Sequence, residues 1–491
     1  MEFSPRLQRR IFQIIMLSMC VLIAPAVIQA TSNDATLKSL VLSSGEVSPG
    51  FSPGRNLYST HVIHSIDSVA ITPTSNEPHA ALAVDGTAVA DGQASEPIGL
   101  NVGRNIIQVE VTAQDGTTKN IYTVKIIRSH PTPKWIKVQE KSPFPPRDSA
   151  GELVFGDRMW LFGGYTPKVI NDVWCSEDGV NWTEIGTLPN ESGVNIPVNL
   201  VYDGKMWVVC NDGQLFASQD GRNWTLVTDQ APWRGRYAAG GVVFAGKMWV
   251  MGGMKEGQIF NDIWSSTDGV HWALETENAP WSKRQLFSML AVYDNKIWLL
   301  GGGITVYHPF KPYSDIWSSP DGKNWTKAID HAPWPCRIWG NSAVYKNRLW
   351  VFGGFRSEPA WNNFNDVWYS SNGADWHELT SETIWSPRHE VSAYVFNNRL
   401  WVIAGNSWPL TNDVWYLEIP GLIFVTQPVI EEFVTAQYSY RARADFNKSG
   451  QRIRYRLLDS PAWLAIDPET GLVRGTPDTV GDFTVIIEAY D

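Results

Sequence analysis

The chain has 491 residues, of which 43% are hydrophobic and 18% are charged, and it contains 40 glycines and 30 prolines. This composition excludes a small disulfide-stapled fold and a disordered chain, and it predicts a turn-rich globular protein of two to four domains. The formal net charge of −10 argues against nonspecific binding to nucleic acids or anionic membranes. Of the 25 tryptophans, 24 lie between Trp135 and Trp415, which indicates a repeated, tryptophan-rich unit.

Residues 1–30 have the pattern of a signal peptide. Three arginines precede an apolar run from Ile11 to Val27, and Ala30 provides a small residue at a cleavage site. We therefore expect an exported protein, located in the periplasm, on the cell surface or outside the cell, with no transmembrane helix in the mature chain. Cleavage leaves three cysteines, whose pairing stays open: Cys175, Cys210 and Cys336.

Residues 31–130 alternate apolar and polar positions, as half-buried strands do. Ile107, Val109 and Val111 are followed by the turn Asp115-Gly116 and by a second alternating segment that includes Tyr122. This stretch resembles the cadherin-like β-sandwich family of bacterial surface proteins.

Residues 131–420 contain a repeated strand motif, in which an apolar segment with a central tryptophan ends in glycines. The six copies are centred on Trp160, Trp207, Trp249, Trp298, Trp350 and Trp401. Their mean spacing of about 48 residues is the length of a four-stranded propeller blade.

Each full copy continues in the same order. An Asn-Asp-Val/Ile-Trp segment follows the glycines, as at Asn171 to Trp174, and a Ser-x-Asp-Gly-x-x-Trp turn comes next, as at Ser176 to Trp182. Because Asp-Gly tolerates the positive φ angles of a tight hairpin, we expect this turn to join the third and fourth strands of a blade.

The sixth copy stops after its third strand, whereas a fourth-strand motif, Trp135 to Val138, stands before the first copy. We expect this strand, residues 134–139, to complete the last blade and leave no open sheet edge. Residues 131–420 resemble the kelch-repeat, galactose-oxidase-like family, which implies a six-bladed β-propeller.

Residues 421–491 contain Pro461 to Leu464 and Gly475 to Pro477, and they resemble a bacterial immunoglobulin-like module of cadherin type. A calcium site in such a module needs several carboxylates, whereas Asp445 to Ser449 contains one acid and also Lys448. We therefore predict no cofactor, and calcium in this C-terminal β-sandwich stays as the alternative.

Five of the six copies have an arginine 13 or 14 residues before the repeat tryptophan, and the second copy has Val194 there. The five are Arg147, Arg236, Arg284, Arg337 and Arg388. At the start of the innermost strands they would ring the mouth of the central channel and attract anions. In the structural alternative, each arginine satisfies backbone carbonyls or packs on a neighbouring tryptophan.

The loops between the second and third strands lie on the same side and carry aromatic residues. The candidate ligand-binding residues there are Tyr307, Trp361 and Trp408. Exposed rings beside cationic donors suit the apolar face of a sugar, with loop packing as the alternative. Catalytic residues are unknown; the candidates are His389, Glu390 and His308. No metal site is predicted.

We interpret the chain as an all-β protein, a six-bladed propeller between an N-terminal and a C-terminal β-sandwich. The leading hypothesis is a bacterial binding or adhesion protein whose propeller recognises a carbohydrate, in particular an anionic one, or a surface protein. The alternative is an enzyme, because six-bladed kelch proteins that interconvert sialic acid anomers resemble this chain in blade number and export. That resemblance implies a sugar-acid mutarotase or epimerase.

Overall fold

The computed structural model describes residues 31–129, 131–424, 436–446, 452–480, 483 and 485–490. The expected signal peptide, residues 1–30, lies outside this range. Every regular element of the described residues is a β-strand, which confirms the prediction of an all-β chain. The chain divides into two compact units, and the second begins at Pro131.

The described residues of the N-terminal unit, 31–129, form nine strands. They are β1 (Leu37–Leu42), β2 (Leu57–Val62), β3 (Ser68–Val69), β4 (Ile71–Ser75), β5 (Ala81–Val84), β6 (Thr87–Val89), β7 (Ile98–Gly99), β8 (Gly103–Thr112) and β9 (Lys119–Arg128).

A five-stranded sheet in the order β2-β9-β8-β5-β6 and two-stranded pairs β1-β4 and β3-β7 enclose the core of this unit. The alternation in the sequence explains the packing, because Ile107, Val109 and Val111 on β8 and Tyr122 on β9 are buried while their neighbours face outward. The Tyr122 hydroxyl donates a hydrogen bond to the Pro53 carbonyl and accepts one from the Leu37 amide, so the buried phenol is satisfied.

The second unit begins with strand β10 (Lys134–Gln139) and continues with the strands of the propeller. The first two sheets use β11 (Gly151–Phe155), β12 (Arg158–Tyr165), β13 (Val169–Ser176) and β14 (Trp182–Thr187), then β15 (Val198–Tyr202), β16 (Lys205–Val209), β17 (Leu215–Ser218) and β18 (Thr225–Thr228).

Short hairpins lie between the second and third strands of the next three sheets. The third has β19 (Gly240–Phe244), β20 (Lys247–Met251), the hairpin β21 (Met254–Lys255) and β22 (Gln258–Ile259), β23 (Ile263–Ser266) and β24 (Ala273–Thr276). The fourth has β25 (Leu290–Tyr293), β26 (Lys296–Leu300), the hairpin β27 (Gly303–Ile304) and β28 (Lys311–Pro312), β29 (Ile316–Ser319) and β30 (Thr326–Ile329). The fifth has β31 (Asn341–Tyr345), β32 (Arg348–Phe352), the hairpin β33 (Phe355–Arg356) and β34 (Asn362–Asn363), β35 (Val367–Ser370) and β36 (His377–Glu378).

The last propeller strands are β37 (Ser392–Phe396), β38 (Arg399–Asn406) and β39 (Leu410–Glu418). They form a four-stranded sheet in the order β10-β39-β38-β37, in which Trp135 pairs with Leu417 and Lys137 with Trp415. Within the described residues, six four-stranded sheets therefore follow one another, and the innermost strands of neighbouring sheets are in contact all the way around from β11 to β37. This closed ring is the β-propeller of the chain.

The repeat tryptophan has the same two partners in most sheets, which explains its abundance. The indole N–H of Trp249 donates to the Phe244 carbonyl at 2.9 Å, and the equivalent tryptophans of the other sheets donate to the residue five positions before them. Its flat face packs on the glycine of the Asp-Gly turn of the next sheet, Gly322, where φ is +79°. An indole is the side chain that provides both a donor and a wide flat surface.

The rest of the second unit has β40 (Ile423–Phe424), β41 (Tyr438–Arg441), β42 (Ala444–Asp445), β43 (Arg454–Asp459), β44 (Leu464–Ile466), β45 (Leu472–Gly475) and β46 (Ile486–Tyr490). They pair as β40-β42, β41-β45-β44 and β43-β46.

The sixth sheet takes its fourth strand from β10 and therefore has no Asp-Gly turn. Among the described residues, Trp350 of the fifth sheet thus has no turn glycine packed on it, and the C-terminal segment contacts the fifth sheet there. The ring of Phe446 lies 6.0 Å from that of Trp350 and 4.9 Å from that of Tyr369. Asp445, the single acid of the segment considered for calcium, is ion-paired with Arg348, and Asn447 to Ser449 lie outside the described residues.

Candidate functional site

The five repeat arginines are buried in the propeller, and none of the five has a free guanidinium group. Each is at most 9% exposed and forms a two-point ion pair with the aspartate of the Asn-Asp-x-Trp segment in its own sheet. The pairs are Arg147–Asp172, Arg236–Asp262, Arg284–Asp315, Arg337–Asp366 and Arg388–Asp413. The expectation that these arginines bind a ligand is therefore corrected: their charges are neutralised inside the sheets, and the structural alternative describes them.

The fourth sheet shows how the arginine is held. Arg284 donates to both carboxylate oxygens of Asp315, at 2.5 and 2.9 Å, and to the Gly301 carbonyl at 2.9 Å. Burial alone raises the pKa of Asp315, but the hydrogen bonds and charge of Arg284 outweigh it and bring the pKa below its usual value. The indole N–H of Trp317 also donates to this carboxylate at 2.7 Å. The repeat signature is thus a structural clamp at the start of the innermost strand in five of the six sheets.

Two or three residues after the position of the repeat arginine, each of the six sheets contributes one residue with a left-handed backbone to a ring around the channel. These residues are Ser149, Ile196, Ala238, Phe287, Trp339 and Glu390, with φ between 47° and 57°. Neighbouring members are linked, since the Ile196 amide donates to the Ser149 carbonyl at 2.8 Å and the Glu390 amide to the Trp339 carbonyl at 3.0 Å. The clamps hold a fixed backbone, whereas the side chains of this ring differ from sheet to sheet.

A pocket opens at this ring. Ser149, Ile196, Phe287, Trp339 and Glu390 line it together with Asn341 and with residues that lie just before the innermost strands. We take this pocket at the mouth of the central channel as the candidate site, and its side chains are those that follow the arginines.

Two acids and a histidine meet at one side of the mouth. One ligand atom from each of Asp148, His389 and Glu390 lies within 4.8 Å of the others. Burial raises the pKa of Asp148; burial and the nearby Asp148 charge together raise the pKa of Glu390 to about 8. Burial lowers the pKa of His389 to about 3, so this imidazole is neutral.

Neighbouring amides fix the tautomer of His389. The side-chain NH₂ of Asn363 donates to the Asn406 carbonyl at 2.9 Å, so the oxygen of Asn363 faces the ring and lies 2.7 Å from His389 Nδ1. Nδ1 must then carry the proton, and Nε2 presents its lone pair 4.0 Å from Glu390 Oε2. Asn406 also donates to Asp148 at 2.9 Å, so one residue links the acid to the histidine.

Aromatic residues form a continuous surface beside this cluster, which we call the aromatic shelf and define as Phe310, Trp339, Phe355, Trp361 and Trp408. The rings of Trp361 and Trp408 lie 5.9 Å apart, and each contacts Phe355. Trp361 and Trp408 are 65% and 49% exposed, whereas Trp339 stacks on His389 at 5.0 Å at the inner end of the shelf.

The other candidate residues lie at the outer end of this shelf. The ring of His308 is parallel to that of Trp361, with 6.2 Å between centroids, and is 4.2 Å from that of Phe310. Tyr307, its neighbour in the chain, is 68% exposed. His308 is thus separated by two tryptophans from His389, and the structure does not bring the two histidines into one catalytic group.

Several buried polar atoms near the mouth have no hydrogen-bond partner among the described residues. Gln285 accepts two hydrogen bonds from Thr305 through its oxygen, but its Nε2 has no partner, and Asn195 Oδ1 and Trp339 Nε1 are in the same condition. These atoms are therefore available to bond to ordered water or to a ligand at the mouth.

The sequence analysis missed Asp148, Trp339, Phe355 and Asn363. One signal was available for Asp148 and Trp339, which is their place after the repeat arginines. Asp148 directly follows Arg147, as His389 follows Arg388, and Trp339 lies two residues after Arg337. Phe355 and Asn363 lie on the hairpin β33-β34, and nothing in their local sequence distinguishes them from ordinary loop residues.

Comparisons with known proteins agree with the two architectures. Residues 35–129 match the cadherin-like beta sandwich domain, and residues 133–244 match the DUF6242 beta propeller domain. The chain therefore contains a cadherin-like β-sandwich and a β-propeller. No helix formed by the described residues is long and apolar enough to cross a membrane.

A "Putative membrane protein" of Evansella cellulosilytica is 36% identical over 100 residues, which cover 20% of this chain. The match spans 15% of the length of that protein. Among solved structures, one titled "Structure of YjhT" aligns with 59% of this chain and 97% of its own, at 14% identity and a TM-score of 0.46.

Proposed function

We propose that this chain is an exported bacterial binding protein whose kelch-type, six-bladed propeller holds a carbohydrate on the aromatic shelf. The observation that carries this proposal is the pair of exposed rings, Trp361 and Trp408, 5.9 Å apart at the channel mouth. Aromatic rings stack on the apolar faces of sugars, and the unpartnered Gln285 Nε2 and Trp339 Nε1 are donors for hydroxyl groups.

The charges at the mouth favour a neutral sugar over an anionic one. The charges of the five repeat arginines are neutralised within the sheets, and the residues that line the pocket include Glu390, with Asp148 beside it. A carboxylate on the ligand would meet acids there instead of cations. The flanking β-sandwich modules would present the propeller, which suits adhesion to a surface glycan.

Binding of glycans to the full mature chain tests the proposal. We expect an array of neutral and acidic glycans to identify a neutral ligand, and calorimetry to show roughly tenfold weaker binding for Trp361→Ala and for Trp408→Ala, since loss of a stacked ring costs about 1.4 kcal/mol. Leu274→Ala, which truncates an equally exposed apolar residue on β24, is the matched control and should bind normally.

Two outcomes would contradict the proposal. One is that no glycan binds. The other is that an acidic glycan binds with an affinity that neither tryptophan substitution changes. A surface protein would then be the partner to seek, by the same comparison of Trp361→Ala with Leu274→Ala.

The second candidate is an enzyme of the sugar-acid mutarotase or epimerase type. Its support is the orientation of His389, whose Nδ1–H is held by Asn363 while Nε2 faces the mouth of the channel. A lone pair fixed in this way can accept a hydrogen bond from a sugar hydroxyl and so orient it. NMR exchange between sialic acid anomers, measured with the wild-type chain and with His389→Gln, tests this candidate; equal exchange with and without protein excludes it.

A further inference from the structure

We infer that Asp148, His389 and Glu390 form a binding site for a divalent transition-metal ion of the zinc type, at the mouth of the propeller channel. This inference does not depend on the identity of any ligand on the aromatic shelf.

The geometry provides three ligand atoms of suitable chemistry. They lie within 4.8 Å of one another, compared with about 3.4 Å between tetrahedral ligands that are each ~2.1 Å from zinc. Metal binding would therefore require the three ligand atoms to move closer together. One imidazole nitrogen with two carboxylate oxygens is a donor set that suits Zn²⁺ or Mn²⁺ better than Ca²⁺, which prefers six to eight oxygens.

The histidine has the orientation that a metal requires. The side chain of His389 is only 4% exposed, and the hydrogen bond from Nδ1 to Asn363 leaves the lone pair of Nε2 unused beside Glu390. Within the described residues Nε2 has no hydrogen-bond partner, since Glu390 is 4.0 Å away. A second-shell oxygen that accepts from the other ring nitrogen is the usual support of a metal-bound histidine.

The second shell of Asp148 is also in place. Its Oδ1 accepts a hydrogen bond from the Ser149 hydroxyl at 3.0 Å, and its Oδ2 accepts one from the Asn406 amide at 2.9 Å. Asn406 is connected to Asn363, and so to His389. The same short network therefore fixes two of the three ligands.

In the described part of the chain, no cationic side chain pairs with the two acids of the cluster. Neither Asp148 nor Glu390 has a lysine or arginine ion pair, because the adjacent Arg147 and Arg388 are committed to Asp172 and Asp413. Two neighbouring buried carboxylates require either a proton or a cation. A divalent ion neutralises both, and the pocket beside Ser149 and Glu390 leaves its remaining position open to water or a ligand.

Calorimetric titration of the full chain with ZnCl₂, after removal of bound metal by a chelator, tests the site. We expect one tight site per chain for zinc and much weaker binding of MgCl₂ and CaCl₂. Zinc affinity should fall at least 100-fold in Asp148→Asn and in Glu390→Gln, and about 10- to 100-fold in Asn363→Ala, which removes second-shell support only.

The matched control is Asp268→Asn. It removes the other close pair of a carboxylate and a histidine in the propeller, Asp268 and His271, which is exposed on an Asp-Gly turn. We expect this variant, and Trp361→Ala of the aromatic shelf, to bind zinc like the wild type. Failure of glycan binding would leave this zinc result standing, so the two proposals fail separately.

The inference is overturned if the wild-type chain has no tight zinc site, or if zinc affinity is unchanged in Asp148→Asn and Glu390→Gln. If the acid variants do not fold, anomalous scattering from wild-type crystals soaked in ZnCl₂ decides. A peak bonded to His389 Nε2 supports the site, and peaks elsewhere alone reject it.

Discussion

A Cβ atom at Gly322 would lie 2.5 Å from Cη2 of Trp249, so the turn glycine of the fourth sheet is in direct contact with the repeat tryptophan of the third. The backbone of Gly322 also has φ of +79°, which side chains other than glycine rarely adopt. We therefore expect Gly322→Ala to destabilise the propeller for two reasons, strain in the backbone and separation of two sheets.

Gly246 allows these two effects to be distinguished. It has nearly the same φ, +71°, but a Cβ there would meet no atom within 4 Å. In denaturant unfolding, Gly246→Ala should cost about 1 kcal/mol from backbone strain alone, and Gly322→Ala should cost about 1–3 kcal/mol more, as overpacking does. Equal costs for the two variants would show that the contact between sheets contributes nothing.

The buried ion pair of Arg284 with Asp315 gives a second prediction. Arg284→Ala leaves a buried carboxylate without its partner, which costs about 3–5 kcal/mol, so the thermal midpoint should fall. Arg158→Ala removes an exposed ion pair with Glu177 and should change stability by at most about 1 kcal/mol. If Arg284→Ala unfolds at the wild-type temperature, the arginine clamp is not structural.

The role of these arginines was contained in the sequence, although position alone did not reveal it. The second copy of the repeat has Val194 in place of arginine, and the same copy lacks the Asn-Asp-x-Trp segment. The simultaneous loss of both charges in one unit indicates that they neutralise each other. Arginines at the mouth of a channel are typical of ligand-binding sites. Whether they instead pair with aspartates depends on the directions of the side chains, which the spacing of residues in the sequence does not determine.

Other features differ in how far the sequence predicts them. The all-β class follows from period-two alternation and Asp-Gly turns, which are local signals. The exposed Trp361 and Trp408 could be chosen because they lie on loops of one face. The sequence could not predict that Asp148 lies close to His389. This contact joins the first and last sheets across some 240 residues and depends on closure of the ring.

Closure of the ring by the first strand gives a third prediction. Trp135 on β10 is buried, its ring lies 6.0 Å from that of Trp385, and its carbonyl accepts a hydrogen bond from the Thr383 hydroxyl at 2.8 Å. Trp135→Ala should cost about 3–5 kcal/mol of unfolding free energy. Lys137→Ala, on the same strand with an exposed side chain, is the control and should be close to wild type. A cooperative transition unchanged in Trp135→Ala would mean that β10 is dispensable for closure.

Glu152 gives the last prediction, because it faces Ser288 across the central channel. The Ser288 hydroxyl donates to Glu152 at 3.4 Å, and these residues belong to the first and fourth sheets, on opposite sides of the ring. Burial raises the pKa of Glu152 from 4.5 to about 8, so the folded chain holds a proton there that the unfolded chain releases above about pH 4.5.

The sign of the effect on stability follows from this proton. Below pH 4.5 the contribution of Glu152 to the stability of the folded chain is fully present, and it is lost as the pH rises through about 8. The free energy of unfolding changes by at most about 1.4 kcal/mol per pH unit in this window. We therefore expect the free energy of urea unfolding to fall less between pH 5 and pH 9 for Glu152→Gln than for the wild type. At pH 9 the variant should be the more stable of the two. Glu177→Gln, at an exposed position, should follow the wild type throughout. If the two curves run parallel, Glu152 is already ionised in the folded chain at pH 5. Only a glutamate that keeps its proton in the folded chain loses it as the pH rises to 9, and only then does replacing it with glutamine stabilise the protein at high pH.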